Sequence, residues 1–262
     1  MDAFLTHQQV LADYKDYLKS FIQIKDEEIL QKVEEAFDGE NFIPEPLLQF
    51  NPTVERGESL SDLVAQGKVH QELPRIFGEY NLYRHQVEAL KIGIDHKGFI
   101  VTSGTGSGKS LTYLATVFNY LLQLPAQPSG IKAILVYPMN ALINSQLGEI
   151  EKFASRYGED FPISFRRYTG QESAEARDQI KANPPDILLT NYMMLELIMT
   201  RETESWIRES IAPNLKFLVF DELHTYKGRQ GSDVSMLIRR IKGLAQNNLI
   251  CIGTSATMAS EG

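Results

Sequence analysis

From residue 98 onward, short apolar runs alternate with longer amphipathic stretches. The runs cover 98–102, 133–137, 163–168, 187–190, 217–220 and 249–252, and they are rich in Ile, Val, Leu and Phe. Continuous apolar runs of that length are the signature of strands buried on both faces. Between them, 110–123, 141–157, 174–181, 192–199 and 233–245 repeat apolar residues three and four apart, which predicts helices. Strand–helix alternation predicts an α/β fold with a mostly parallel central sheet flanked by helices. In such sheets ligands bind beyond the carboxyl ends of the strands.

The first 80 residues read differently. Phe4, Val10, Leu11, Tyr14, Leu18, Phe21 and Ile22 form a helical stripe, and a second helix is expected from Asp26 to Phe37. Gly39, Pro44, Pro46 and Pro52 break the pattern and predict an extended connection, with short helices near 59–66 and 71–77. Charge follows the same division. Residues 1–80 hold 16 acidic and 7 basic side chains, whereas 81–262 hold 18 and 19, so the net charge of −8 belongs to the N-terminal part. The expected organisation is an acidic, mainly helical extension over 1–80 and an α/β domain over 81–262. The near-neutral domain leaves a polyanionic partner open, because local Lys and Arg hold phosphates whatever the total charge.

The single cysteine, Cys251, excludes an intrachain disulfide and a cysteine metal site, and the five histidines show no metal spacing. No apolar run approaches the roughly 18 residues of a membrane span, and the N-terminus lacks a basic leader. A cytoplasmic chain without a membrane partner is the expectation.

Two segments carry recognisable chemistry. Ser103-Gly-Thr-Gly-Ser-Gly-Lys-Ser110 follows the apolar run 98–102 and opens a helix. In a loop of this kind the backbone N–H groups of Gly104, Thr105, Gly106, Ser107 and Gly108 surround a polyphosphate. Lys109 adds a positive charge, Ser110 offers a hydroxyl to Mg²⁺, and the helix N-terminus adds its partial charge. About 110 residues later, the apolar run 217–220 ends in Asp221 and Glu222. Alone, such a pair is equally well a helix cap with a solvated first turn. Beside a phosphate loop, Asp221 is a candidate Mg²⁺ ligand and Glu222 a candidate base for an attacking water.

Asp221-Glu-Leu-His224 is a form of the DEAH/DExH box, and with it the chain resembles the first RecA-like domain of a bacterial superfamily 2 helicase. The look is closest to the MrfA-like and Lhr-like helicases and to large helicases of antiphage defence systems. The resemblance covers about residues 80–260. It departs in Ser103, where Gly or Ala is usual, and in Ser110, where Thr is usual; a small residue and a hydroxyl remain. It implies ATP and Mg²⁺ as cofactors. Tyr83 and Gln86 correspond to a motif that reads the adenine edge. Asn140, Asn144 and Gln146, then Thr169 and Gly170, then Thr190, correspond to motifs that touch a nucleic-acid backbone. Ser255 and Thr257 lie in a motif that, with His224, links the nucleotide to strand movement. His224 also reads as an ordinary half-buried histidine, and the Arg166-Arg167 and Arg239-Arg240 pairs read more readily as solvated faces than as strand contacts.

The resemblance implies an ATP-binding motor half acting on a nucleic-acid strand, with single-stranded DNA favoured and RNA the alternative. It also implies a second RecA-like domain, in cis or in trans, which residues 81–262 do not supply and without which hydrolysis is slow. Defence or repair proteins are further expected partners. A nucleotide-binding subunit that docks other proteins through its acidic extension, and a different phosphate-loop enzyme with no nucleic-acid action, are the competing readings.

Overall fold

The computed structural model describes residues 3–38, 55–79, 81–104, 106–125 and 130–256. Thr105, Thr257 and the proline-containing connection with Pro44, Pro46 and Pro52 lie outside the described residues. The chain forms two compact units, 1–52 and 53–262.

The first unit holds α1 (Ala3–Ser20) and α2 (Glu27–Asp38). Asp26 caps α2: its carboxylate accepts from the N–H groups of Glu28 and Ile29, each at 3.1 Å. Glu27 and Glu28 then occupy the electropositive first turn.

The second unit begins with β1 (Arg56–Ser59), α3 (Leu60–Ala65), α4 (Leu73–Phe77) and β2 (Asn81–Tyr83), with β1 and β2 paired antiparallel. It continues with α5 (Arg84–Ile94), β3 (Phe99–Thr102), α6 (Lys109–Gln123), β4 (Ala133–Tyr137), α7 (Asn140–Tyr157) and β5 (Phe165–Arg167). The remaining elements are α8 (Ala174–Ala182), β6 (Ile187–Asn191), α9 (Tyr192–Thr200), α10 (Ser205–Asn214), β7 (Phe217–Phe220), α11 (Gly228–Leu244) and β8 (Ile250–Ser255). Six strands form one all-parallel sheet in the order β3-β8-β7-β4-β6-β5.

Strand β4 shows why both faces are covered. Successive side chains point to opposite faces. Ala133, Leu135 and Tyr137 enter one apolar cluster with α3 to α7, while Ile134 and Val136 enter a second with α8 to α11. All five are fully buried. A strand sandwiched this way has no polar face left, so its chemistry is confined to its ends.

The boundary between the units lies well before residue 80. Leu60, Leu63, Leu73, Ile76 and Phe77 are fully buried in the first apolar cluster. Phe77 stacks on Phe118 of α6 with ring centres 5.4 Å apart and meets Phe153 of α7 edge-on at 4.8 Å. Charge grouped residues 53–79 with the acidic extension. Charge marks the surface, however, and the buried apolar positions place this segment in the core.

Three further differences from the expected elements have local causes. Helix α10 carries only Trp206, Ile207 and Ile211 as large apolar residues and includes Pro213, too sparse a pattern to read as a helix. Helix α11 starts at Gly228 rather than near 233, because Gly228 and Gly231 mask a first turn that tertiary packing stabilises. Strand β5 is shorter than its apolar run, since it pairs only with β6 at the sheet edge. Among the described residues no helix is long and apolar enough to cross a membrane.

If residues 53–79 belong to the core, Ile76→Ala destabilises the second unit by about 2–5 kcal/mol, the cost of emptying a closed apolar site. Urea unfolding of the chain measures it. A change within about 0.5 kcal/mol, typical of surface positions, would return this segment to the extension.

Candidate functional site

Six parallel strands leave the sheet at one edge, and the strand order divides that edge. The ends of β3, β8 and β7 carry the phosphate loop, Thr254–Ala256 and Asp221–Glu222. The ends of β4, β6 and β5 carry Asn140, Asn191 and Thr169–Gly170.

The phosphate loop is shaped by glycine. Gly108 caps α6 in the left-handed region at φ 72°, where an L side chain is strained. A β-carbon there would also meet Gln86 Nε2 at 2.5 Å. The Lys109 ammonium is buried and donates to the carbonyls of Ser103 (2.9 Å) and Gly104 (3.3 Å). Ser103 and Ser107 share a hydroxyl–hydroxyl bond of 2.6 Å. Behind the loop the hydroxyl of Tyr113 lies 3.2 Å from the hydroxyl of Tyr137 at the end of β4. Burial pushes both phenols above their usual pKa, so they remain neutral donors.

Gln86 is placed at the loop, but its amide is engaged. Its Oε1 accepts from the N–H of Tyr83 at 2.9 Å and caps α5, and its Nε2 donates to the Gly108 carbonyl at 3.0 Å. One N–H and one lone pair remain for a ligand. His85 contacts the Ser107 carbonyl at 3.2 Å, and desolvation by burial lowers its pKa. A cavity of about 490 Å³ opens here, lined by Tyr83, Gln86, Gly108, Ser110, Leu111 and Phe153 among others. A larger cavity of about 790 Å³ lies at the opposite end of the strands, around the Lys132–Asp186 ion pair, and no candidate site residue lines it.

The two carboxylates are organised by Thr254, the first residue of the motif that holds Ser255 and Thr257. Its hydroxyl donates to Asp221 Oδ1 and accepts the N–H of Glu222 at 3.0 Å. The pairing was derivable in principle: β7 and β8 are parallel with Phe220 opposite Gly253, so Thr254 follows opposite Asp221. Asp221 is buried, and desolvation raises its pKa despite the bond from Thr254. A buried carboxylate and the Ser110 hydroxyl are hard oxygen donors, a set that fits Mg²⁺.

Glu222 adopts the left-handed conformation (φ 51°, ψ 51°), rare for a non-glycine residue. Gly253 makes room for that turn: a β-carbon on it would meet Leu223 Cδ1 at 2.3 Å. His224 Nδ1 accepts the N–H of Ala256 at 3.2 Å and lies 3.4 Å from the Ser255 hydroxyl. Glu222 Oε2 is 3.2 Å from the same nitrogen, yet it has no hydrogen-bond donor among the described residues. The short distance is therefore a contact rather than a bond, because a nitrogen that accepts from Ala256 has no proton to offer.

On the other half of the edge, the structure redistributes the expected strand contacts. Asn140 Oδ1 accepts from Asn191 Nδ2 at 2.7 Å, and Asn191 also caps α9. Asn144 is exposed and accepts from Arg167 at 2.6 Å, while Gln146 Oε1 is buried without a partner among the described residues. Thr190 does not face solvent: it is fully buried and its hydroxyl donates to the Tyr168 carbonyl at 2.6 Å. The N–H groups of Thr169 and Gly170 are not free either, since both donate to Glu172. Asn191, Arg167 and Glu172 were not among the expected site residues, and only their position at strand ends marks them.

Comparison with known proteins points to one family. The sequence pattern of the DEAD/DEAH box helicases matches residues 83–262. An uncharacterized ATP-dependent helicase, MJ1574 of Methanocaldococcus jannaschii, is 31% identical over 236 residues, covering 86% of this chain and 32% of that protein. An uncharacterized ATP-dependent helicase, YprA of Bacillus subtilis, is 33% identical over 182 residues, covering 68% of this chain and 23% of that protein. The crystal structure of the DUF1998 helicase MrfA bound to DNA and AMPPNP superposes with a TM-score of 0.65 at 25% identity, covering 80% of this chain and 28% of that one. The chain thus spans a third or less of the length of these relatives.

Thr254→Val removes the hydroxyl and leaves the Glu222 N–H and an Asp221 oxygen unpaired, whereas Thr254→Ser keeps it. The valine variant should lose about 1–3 kcal/mol in chemical unfolding and the serine variant under about 1 kcal/mol. Equal effects from the two would show that the methyl group, and not the hydroxyl bridge, is what Thr254 contributes.

Proposed function

The chain belongs to the DEAD/DEAH box helicase family, and on that premise we propose that it binds ATP with Mg²⁺ at residues 104–110 and a DNA strand along the ends of β4, β6 and β5. The observation that supports the nucleotide half is that Lys109 and Ser110 follow β3 while Asp221 and Glu222 follow β7, with only β8 between the two strands.

Lys109 exchanges the loop carbonyls it holds for phosphate oxygens, a charge-assisted bond in place of a neutral acceptor. Ser110 and Asp221 would hold the metal, which when bound would supply neutralisation of phosphate charge. The Glu222 carboxylate, whose Oε2 is buried beside His224, is the acceptor that orients the attacking water and takes its proton. Gln86, with one N–H and one lone pair left, reads the adenine edge from the 490 Å³ cavity that Tyr83 also lines. Thr254 joins the two carboxylates to β8, and His224, in contact with Glu222, accepts from Ala256 beside Ser255, so a shift at the phosphates is felt at the end of β8.

Turnover, in this reading, requires a second RecA-like domain in cis or in trans. Arginine fingers supplied by a partner element are worth roughly 10³–10⁵ in rate. The preference for DNA over RNA is supported by the MrfA structure bound to DNA. Contact is mainly to the backbone through neutral Asn and Gln side chains, and is therefore tolerant of sequence.

Glu222→Gln should leave Mg²⁺-dependent binding of a fluorescent ATP analogue within about threefold of wild type, while Lys109→Ala abolishes it. In a protein carrying both RecA-like domains, Glu222→Gln should lower turnover by about 10²–10⁴, the range for loss of a general base. Undiminished turnover would remove Glu222 from the chemistry.

A further inference from the structure

The loop after β5 builds an anion site and fills it with a carboxylate of the same chain. The N–H groups of Thr169 and Gly170 donate to Glu172 Oε2 at 2.8 and 2.9 Å. The Thr169 hydroxyl donates to Oε1 at 3.0 Å, and Arg167 Nε lies 3.2 Å from the same oxygen. The Glu172 side chain is only 6% exposed. Gly170, at φ 87°, turns the backbone so that consecutive N–H groups face one point, an anion-binding concavity.

The donors are those that recognise a phosphodiester: two backbone N–H groups, a hydroxyl and a guanidinium. Desolvation by burial acts to raise the pKa of Glu172. The bonds from Thr169, from its own N–H and from Gly170 outweigh that effect and hold it below the usual carboxylate range, so an anion occupies the site at neutral pH. Arg177 closes the loop from α8, donating to the Gly170 carbonyl at 2.9 Å. Its Nε is buried and has no hydrogen-bond partner among the described residues, a donor for which Glu172 provides no acceptor. Arg167 also reaches Asn144 of α7, so the site is continuous with the half of the edge assigned to the strand.

We propose that Glu172 is an internal competitor for a strand phosphate: its carboxylate occupies the donors of the 167–172 loop, and a phosphodiester of a bound nucleic acid takes its place. The exchange conserves charge. One anion leaves and another enters, so the half-buried Arg167 and the two N–H groups keep an anionic partner throughout. Glu172 has somewhere to go, since Gln171 and Ser173 on either side are exposed. The competition lowers strand affinity and confines stable binding to strands that reach this loop. The inference rests on the reading that this edge holds a strand.

The test titrates fluorescent oligo(dT) into the wild-type chain and Glu172→Gln at several salt concentrations, with thermal melts to confirm folding. The variant should bind about tenfold more tightly and with a steeper salt dependence, because a phosphate now enters a site of net positive charge. Equal or weaker binding with an unchanged salt slope, alongside wild-type binding, overturns the competitor and leaves the strand assignment standing. No binding by either protein overturns both. If the variant does not fold, amide NMR of the wild type decides. Shifts of the Thr169 and Gly170 N–H signals on adding oligo(dT) support the exchange, and unmoved signals overturn it.

Discussion

Burial of the strands on both faces is the constraint from which the site follows. A strand such as β4, with all five side chains inaccessible, has no surface on which to place a functional group. Parallel pairing then brings every carboxyl end to one edge, so six loops share one rim of the domain. The strand order decides which loops are neighbours. Interleaving β8 between β3 and β7 brings Thr254 to the two carboxylates and holds the phosphate loop beside them. Placing β4, β6 and β5 on the other side segregates a second set of polar ends.

That rim is where the domain departs from what is best for stability alone. Asp221 is ionisable and buried. Glu222 holds a left-handed backbone that costs of order 1–3 kcal/mol in a non-glycine residue, and one of its oxygens has no donor among the described residues. Tyr113 and Tyr137 are buried phenols joined to each other, at the interface of the two halves. Such groups persist because the apolar clusters on either face of the sheet over-determine the backbone around them.

Much of this was legible in the amino-acid order, for a physical reason. Buried parallel strands and a glycine-shaped loop leave local marks, so the six strands and residues 103–110 are readable without coordinates. What was not legible depends on non-local pairing. Thr254 opens a recognisable motif, but its partner is not evident until the β7–β8 register sets it against Asp221. Thr190 looks like a solvent-facing strand end until it is seen buried against Tyr168. Gln86 looks like a free amide until its two bonds to Tyr83 and Gly108 are placed. The domain boundary failed for a related reason: charge composition separated residues 53–79 from a core into which Leu60, Ile76 and Phe77 insert.

The central claim is that one rim carries two adjoining but separate halves, one for nucleotide and one for a strand. Hydrogen exchange of the backbone amides, measured first with a non-hydrolysable ATP analogue and Mg²⁺ and then with added oligo(dT), reads both at once. The nucleotide should slow exchange in 104–110 and 221–224, and the oligonucleotide should then change exchange in 138–146 and 167–172. Protection of a single shared segment by both ligands, or oligonucleotide protection confined to the opposite end of the strands, would contradict the account.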